Sequence, residues 1–116
     1  MSQDFKKIHA AFYQTATGQE PVRNWLKDLP QEDRHEIGRD IATVEYGWPI
    51  GMPICRPLGG GLWEVRSVLP SQRIARVIFC ILSERMVLLH GFIKKTRKTH
   101  DEDLALARKR MKEIKS

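Results

Sequence analysis

Residues 62–93 read LWEVRSVLPSQRIARVIFCILSERMVLLHGFI, and the fold follows from how this stretch divides. Three runs, 62–68, 73–82 and 86–93, are rich in β-branched and aromatic residues and read as strands. Leu69-Pro70-Ser71-Gln72 separates the first two, and Ser83-Glu84-Arg85 the last two. Connections this short join antiparallel neighbours, so the three runs form a meander. The second and third are apolar at nearly every position, the pattern of strands covered on both faces. Two sets of helices must therefore flank them.

The flanking sequence supplies both. Upstream, Ile8 to Tyr13 reads as a first strand, stopped by Thr17-Gly18. Pro21 suits the first turn of a helix, and Val22, Trp25, Leu26 and Leu29 form one apolar helical face that Pro30 closes. A second helix is expected over 31–46, with Ile37, Ile41 and Val44 as its buried stripe and Gly47 just past its end. The short link between these helices makes them an antiparallel hairpin. Residues 47–61 hold three prolines and five glycines and read as a loop. Downstream, Thr99-His100-Asp101-Glu102 has the spacing of a capping box, followed by a helical stripe of Leu104, Ala107, Met111 and Ile114. The expected order is β-α-α-β-β-β-α: an α+β fold, with a twisted antiparallel sheet packed by an N-terminal helical hairpin and a C-terminal helix.

With 116 residues and 41% hydrophobic content, the chain can bury a core as one domain spanning 1–116. No apolar run is long enough to cross a bilayer, and the first residues lack the apolar centre of a signal peptide, so a cytoplasmic location is expected. Cys55 and Cys80 stand 25 positions apart, outside any CxxC pair, and read as two reduced thiols. No His/Cys cluster has zinc spacing, no phosphate-loop or dinucleotide glycine pattern is present, and Gly59-Gly60-Gly61 is followed by no helix. No metal and no cofactor is expected. The net charge of +6 is unevenly placed: residues 94–116 carry nine Lys/Arg against four Asp/Glu, and residues 1–93 carry eleven against ten. A basic end of this kind suits a polyanion or an acidic protein partner, or is simply a solvated basic helix.

Two features stand out against this background. Arg66 and Arg76 interrupt strands that are otherwise apolar on the same side. A half-buried guanidinium needs an internal counter-ion, for which Glu64 is available, or it faces a ligand. The second feature is Lys94-Lys95-Thr96-Arg97-Lys98, four cations and a hydroxyl between a strand end and a helix start, where free N–H groups favour phosphate. The tract is either that or an ordinary basic loop. In a meander the two features become neighbours, a cationic floor beside a basic wall.

Leu62-Trp63-Glu64-Val65-Arg66, Arg73-Ile74-Ala75-Arg76-Val77-Ile78-Phe79 and Leu88-Leu89-His90-Gly91-Phe92-Ile93-Lys94-Lys95-Thr96 resemble, in order and spacing, the RelE/HigB toxin superfamily, above all its phage-associated HigB-like branch. The resemblance covers about residues 8 to 115. It implies a RelE-like fold and the toxin of a type II toxin–antitoxin pair, a metal-independent, ribosome-dependent messenger RNA endoribonuclease. In such enzymes the substrate's 2′-hydroxyl attacks the adjacent phosphate. The reaction then needs a base, cations for the phosphorane, and an acid for the leaving oxygen. By the resemblance, Arg76 matches the position that contacts the reacting phosphate, Arg66 and Arg73 match nearby basic positions, and Lys94 and Lys95 match the basic pair after the last strand. Thr96, Arg97 and Lys98 would hold flanking RNA. Relatives usually carry proline where His100 stands; His100 is one candidate acid or base and Glu64 the other, while His90 alternates into an apolar run. The implied partners are a helix-turn-helix antitoxin, messenger RNA and the ribosome. The alternative on the same fold is a non-catalytic, ParE-like gyrase-binding toxin or an inactive antitoxin-binding module.

Overall fold

The computed structural model describes residues 5–94 and 101–115. Its elements are β1 (His9–Phe12), α1 (Pro21–Lys27), α2 (Gln31–Gly47), β2 (Cys55–Gly59), β3 (Leu62–Val68), β4 (Ile74–Leu82), β5 (Arg85–Lys94) and α3 (Asp101–Lys115). The five strands form one sheet in the order β1-β5-β4-β3-β2.

The α+β reading and the β3-β4-β5 meander hold, and two expectations change. The sheet is mixed, because β1 pairs with β5 in parallel while every other pair is antiparallel. Between β1 and the meander the chain passes through two helices, so nothing forces β1 into a hairpin with its neighbour. The second change is β2, a fifth strand of the sheet, in a stretch that reads as loop in the sequence. Pro57 has no N–H to donate, but β2 is an edge strand, where one side of the backbone needs no partner. Gly59, Gly60 and Gly61 all have positive φ (89°, 64° and 88°) and turn β2 back into β3. Ser83 and Glu84, both left-handed, make the two-residue turn from β4 into β5.

One core lies between the sheet and the helical hairpin. There Val22, Ile37, Ile41 and Val44 meet Val65, Ala75, Val77, Phe79, Met86 and Leu88. Trp48 sets its ring edge-on to Trp63 (4.9 Å) and Phe79 (5.8 Å), pinning the chain beyond α2 to the same face. Glu45 ties down β1: its carboxylate accepts from the Ala10 N–H (2.8 Å) and pairs with Lys6 (3.3 Å). The other core lies under α3, where Ala107 and Met111 cover Leu62, Ile78, Cys80 and Leu89. α3 runs over Asp101–Lys115, and Thr99 and His100, where the capping box would start the helix, lie outside the described residues.

A β-bulge in β5 decides which side chains share the α3 face. Phe79 pairs with Leu88 and Ile78 with His90, leaving Leu89 as the extra residue. Before the bulge, Met86 and Leu88 face the helical hairpin; after it, Ile93 does, and Phe92 faces α3. The carbonyl of Leu89 accepts a hydrogen bond from Arg110 Nη1 of α3 (2.7 Å).

Candidate functional site

Strand pairing builds the site. On the α3 side of the sheet, Arg56, Glu64, Ile78 and His90 form one row across β2, β3, β4 and β5. Arg66, Arg76 and Phe92 form the next row. Directly opposed residues in antiparallel strands point to the same face, so three arginines, one glutamate and one histidine share a small patch. It lies beside the α3 core, near the start of that helix.

The charges do not balance. Glu64 and Arg76 are both fully buried, with Glu64 Oε1 and Arg76 Nε 4.0 Å apart. This is the outer limit of an ion pair and too long for a hydrogen bond. Arg66 is partly exposed, and its Nε lies buried without a hydrogen-bond acceptor. Burial pulls the Arg76 guanidinium below the usual arginine range; Glu64 opposes this, while Arg66 and Arg56 reinforce it. Among the described residues of these two rows, three guanidinium groups share one carboxylate. An anion placed here would relieve the repulsion that Arg66 and Arg56 exert on Arg76.

His90 completes the patch. Its Nε2 lies 2.7 Å from Asp103 Oδ1 in the first turn of α3, and its ring stacks on Phe92 at 5.3 Å and 24°. The bulge puts it here; simple alternation from Met86 and Leu88 would have turned it to the helical hairpin.

The structure therefore brings Arg66, Arg76 and Glu64 together and adds Arg56 and His90, which by sequence fall in a loop and in an apolar run. Arg76 sits at the back of the patch with no exposed surface, so a ligand would meet Arg66 first. Arg73 does not join them. Its guanidinium donates to buried Asp33 of α2 (3.1 Å) and to Ser71 (2.8 Å), fastening the hairpin to the opposite side of the sheet. Lys94 ends β5 opposite Ile74. Lys95, Thr96, Arg97, Lys98 and His100 lie outside the described residues. Arg108, Lys109, Lys112 and Lys115 are exposed on α3.

Both cysteines are buried and free. Burial, helped by the nearby charge of Glu64, pushes the Cys55 thiol up to about 11, and burial also raises that of Cys80. Neither is a nucleophile at neutral pH. Among the described residues no group of His, Cys, Asp and Glu could hold a metal ion, and no helix is long and apolar enough to cross a membrane.

The α+β fold gathers three arginines on one sheet face, and comparison with known proteins says which family carries this arrangement here. Residues 24–112 match the family described as phage derived protein Gp49-like (DUF891), and the chain belongs to that family. It is a RelE/HigB-like toxin family of toxin–antitoxin systems, which makes this chain a phage-derived, toxin-like protein and implies an antitoxin partner. No curated protein matches the chain.

Proposed function

We propose that this protein is the toxin of a type II toxin–antitoxin pair, of the HigB-like branch, and cuts messenger RNA on the ribosome without a metal. The observation that carries the reading is the three-to-one excess of guanidinium over carboxylate where Arg56, Arg66 and Arg76 surround Glu64. Phosphoryl transfer puts growing negative charge on the phosphorane, and fixed cations in a partly dry site stabilise it most where they need not reorganise. Arg66, partly exposed, contacts the scissile phosphate. Arg76 adds its field from beneath and holds Glu64 as a counter-ion. Lys94, Lys95, Arg97 and Lys98, with the Thr96 hydroxyl, bind flanking phosphates, and the exposed cations of α3 contact ribosomal RNA through the backbone. The antitoxin is a helix-turn-helix protein that covers this face, and the protein works in the cytoplasm.

The test is primer extension on a translated message after induction. Wild type should give new 5′ ends at the ribosomal A site; Arg66→Ala, at a partly exposed position, should abolish them while the protein keeps its circular dichroism. Intact messages with wild type would refute the reading. The full burial of Arg76 favours a second one, a non-catalytic module in which Arg76–Glu64 is only an internal ion pair. Intact messages with inhibition of gyrase supercoiling would identify the ParE-like form of that alternative, and intact messages without it the inactive antitoxin-binding form.

A further inference from the structure

Among the described residues of the patch one imidazole has its side chain fixed in place, and it is neither of the candidates that the sequence offers. Glu64 is fully buried and committed to the arginines. His90 is different in each respect. Its side chain retains 18% of its exposure, it lies in the same row as Glu64, and it is a diagonal neighbour of Arg76, whose direct partner on β5 is Phe92. Diagonal neighbours on one sheet face stand roughly 7–8 Å apart, within reach of a long side chain and a ligand between them. Its ring cannot swing freely: Phe92 stacks on one side, and Asp103 takes Nε2 at 2.7 Å. When Nε2–H donates to Asp103, the neutral imidazole carries its lone pair on Nδ1. Orientation of a histidine by a carboxylate through the nitrogen not used in chemistry is how such a base is set. The β-bulge at Leu89, which alone puts His90 on this face, is a device that re-aims side chains beside functional sites.

We infer that His90 is the general base of the reaction, held in the productive tautomer by Asp103 as a positioning residue. The inference rests on the ribonuclease reading above. Nδ1 accepts the proton of the 2′-hydroxyl as its oxygen forms the new bond to phosphorus. The bond from phosphorus to the 5′-oxygen breaks, its electron pair stays on that oxygen, and a water molecule supplies the proton it needs. The products are a 2′,3′-cyclic phosphate and a 5′-hydroxyl, with the imidazolium beside Asp103 until it returns its proton to solvent.

Single-turnover cleavage of a message programmed on purified ribosomes tests this. His90→Gln keeps a donor able to reach Asp103 but has no basic nitrogen. It should lower kcat by about 100-fold or more, leave KM within about twofold and leave the melting temperature near that of wild type. His90→Ala should be similarly slow and should regain rate in proportion to added imidazole; Asp103→Asn, which leaves the base present but loosely aimed, should lose less than His90→Gln. A wild type that leaves the message whole defeats the ribonuclease reading and this inference with it. An active wild type with an equally fast His90→Gln, or a slow His90→Ala that imidazole leaves slow, overturns the inference alone.

Discussion

Replacing Glu64 by Gln tests the charge arithmetic of the patch directly. The side chain keeps its shape and loses its charge, in a position with no exposed surface. Breaking a buried pair by neutralising one partner costs about 3–5 kcal/mol, because the remaining charge is left uncompensated. Here the Glu64–Arg76 separation is 4.0 Å, so the lower end applies, about 3 kcal/mol. Arg66 and Arg56 add to the loss, since both already disfavour the charge on Arg76. For a chain of this length 1 kcal/mol corresponds to about 4 °C in Tm, so the variant should melt about 12 °C below wild type in a buffer free of multivalent anions. Sulfate or inorganic phosphate should reverse much of this. An anion at a hundredfold excess over its Kd returns about 2.7 kcal/mol, about 10 °C. Wild type should gain less, because Glu64 already occupies part of the same field. Differential scanning fluorimetry across a sulfate series, with chloride at matched ionic strength, reads both effects. If the Glu64→Gln protein melts within about 3 °C of wild type, or if sulfate stabilises the two proteins equally, the excess-charge account of the site is wrong.

Other consequences of the packing can be checked alongside. A Cβ at Gly91 would stand 2.5 Å from Cε3 and Cζ3 of Trp25, so Gly91→Ala must push α1 off β5; it should cost about 1–3 kcal/mol by urea unfolding, and Trp25→Leu in the same chain should recover part of it. Arg73→Ala leaves Asp33 buried without its guanidinium and should cost about 1–2 kcal/mol, discounted for the solvent already at Arg73, while affinity for a 20-nucleotide oligouridylate in filter binding stays within twofold. Cys55, with its thiol pushed up to about 11, should resist Ellman's reagent at pH 8 in the native state and react once guanidinium unfolds the chain. The hydrogen bond to Glu113, then burial, raises the Tyr13 phenol above its usual value. Its contribution to stability is therefore present below about pH 10, the ordinary tyrosine pKa, and is lost as pH rises through the folded one. The stability gap between wild type and Tyr13→Phe should close above that pH.

What the sequence discloses and what it hides follow from one distinction. Period-two alternation and short turns are local, so β3, β4 and β5 are legible almost to the residue, and so is the covering of both their faces. The placement of Arg66 opposite Arg76 follows from the same local facts, because a link of a few residues between two strands leaves little freedom of register. Partners brought from a distance are illegible in the same terms. The parallel seat of β1 beside β5 is reached only after two helices and three strands have been laid down. β2 looks like a loop because its proline and glycines are tolerated only at an edge, and being an edge is a property of the finished sheet. Arg56 was hidden with it.

His90 was hidden for a subtler reason, and the reason bears on function. Alternation counted from Met86 assigns it to the helical hairpin side, where a polar ring among Val65, Val77 and Phe79 would be costly to bury. One inserted residue, Leu89, reverses the count. It moves His90 and Phe92 to the arginine face and leaves Gly91 under Trp25, the one side chain small enough for that contact. The irregularity costs a ladder position and leaves a bulged backbone whose Leu89 carbonyl Arg110 must satisfy. Its distinct effect is to place an imidazole, aimed by Asp103, next to an excess of positive charge. The same insertion that defeats a reading by periodicity is thus the feature that gives the patch a base as well as cations.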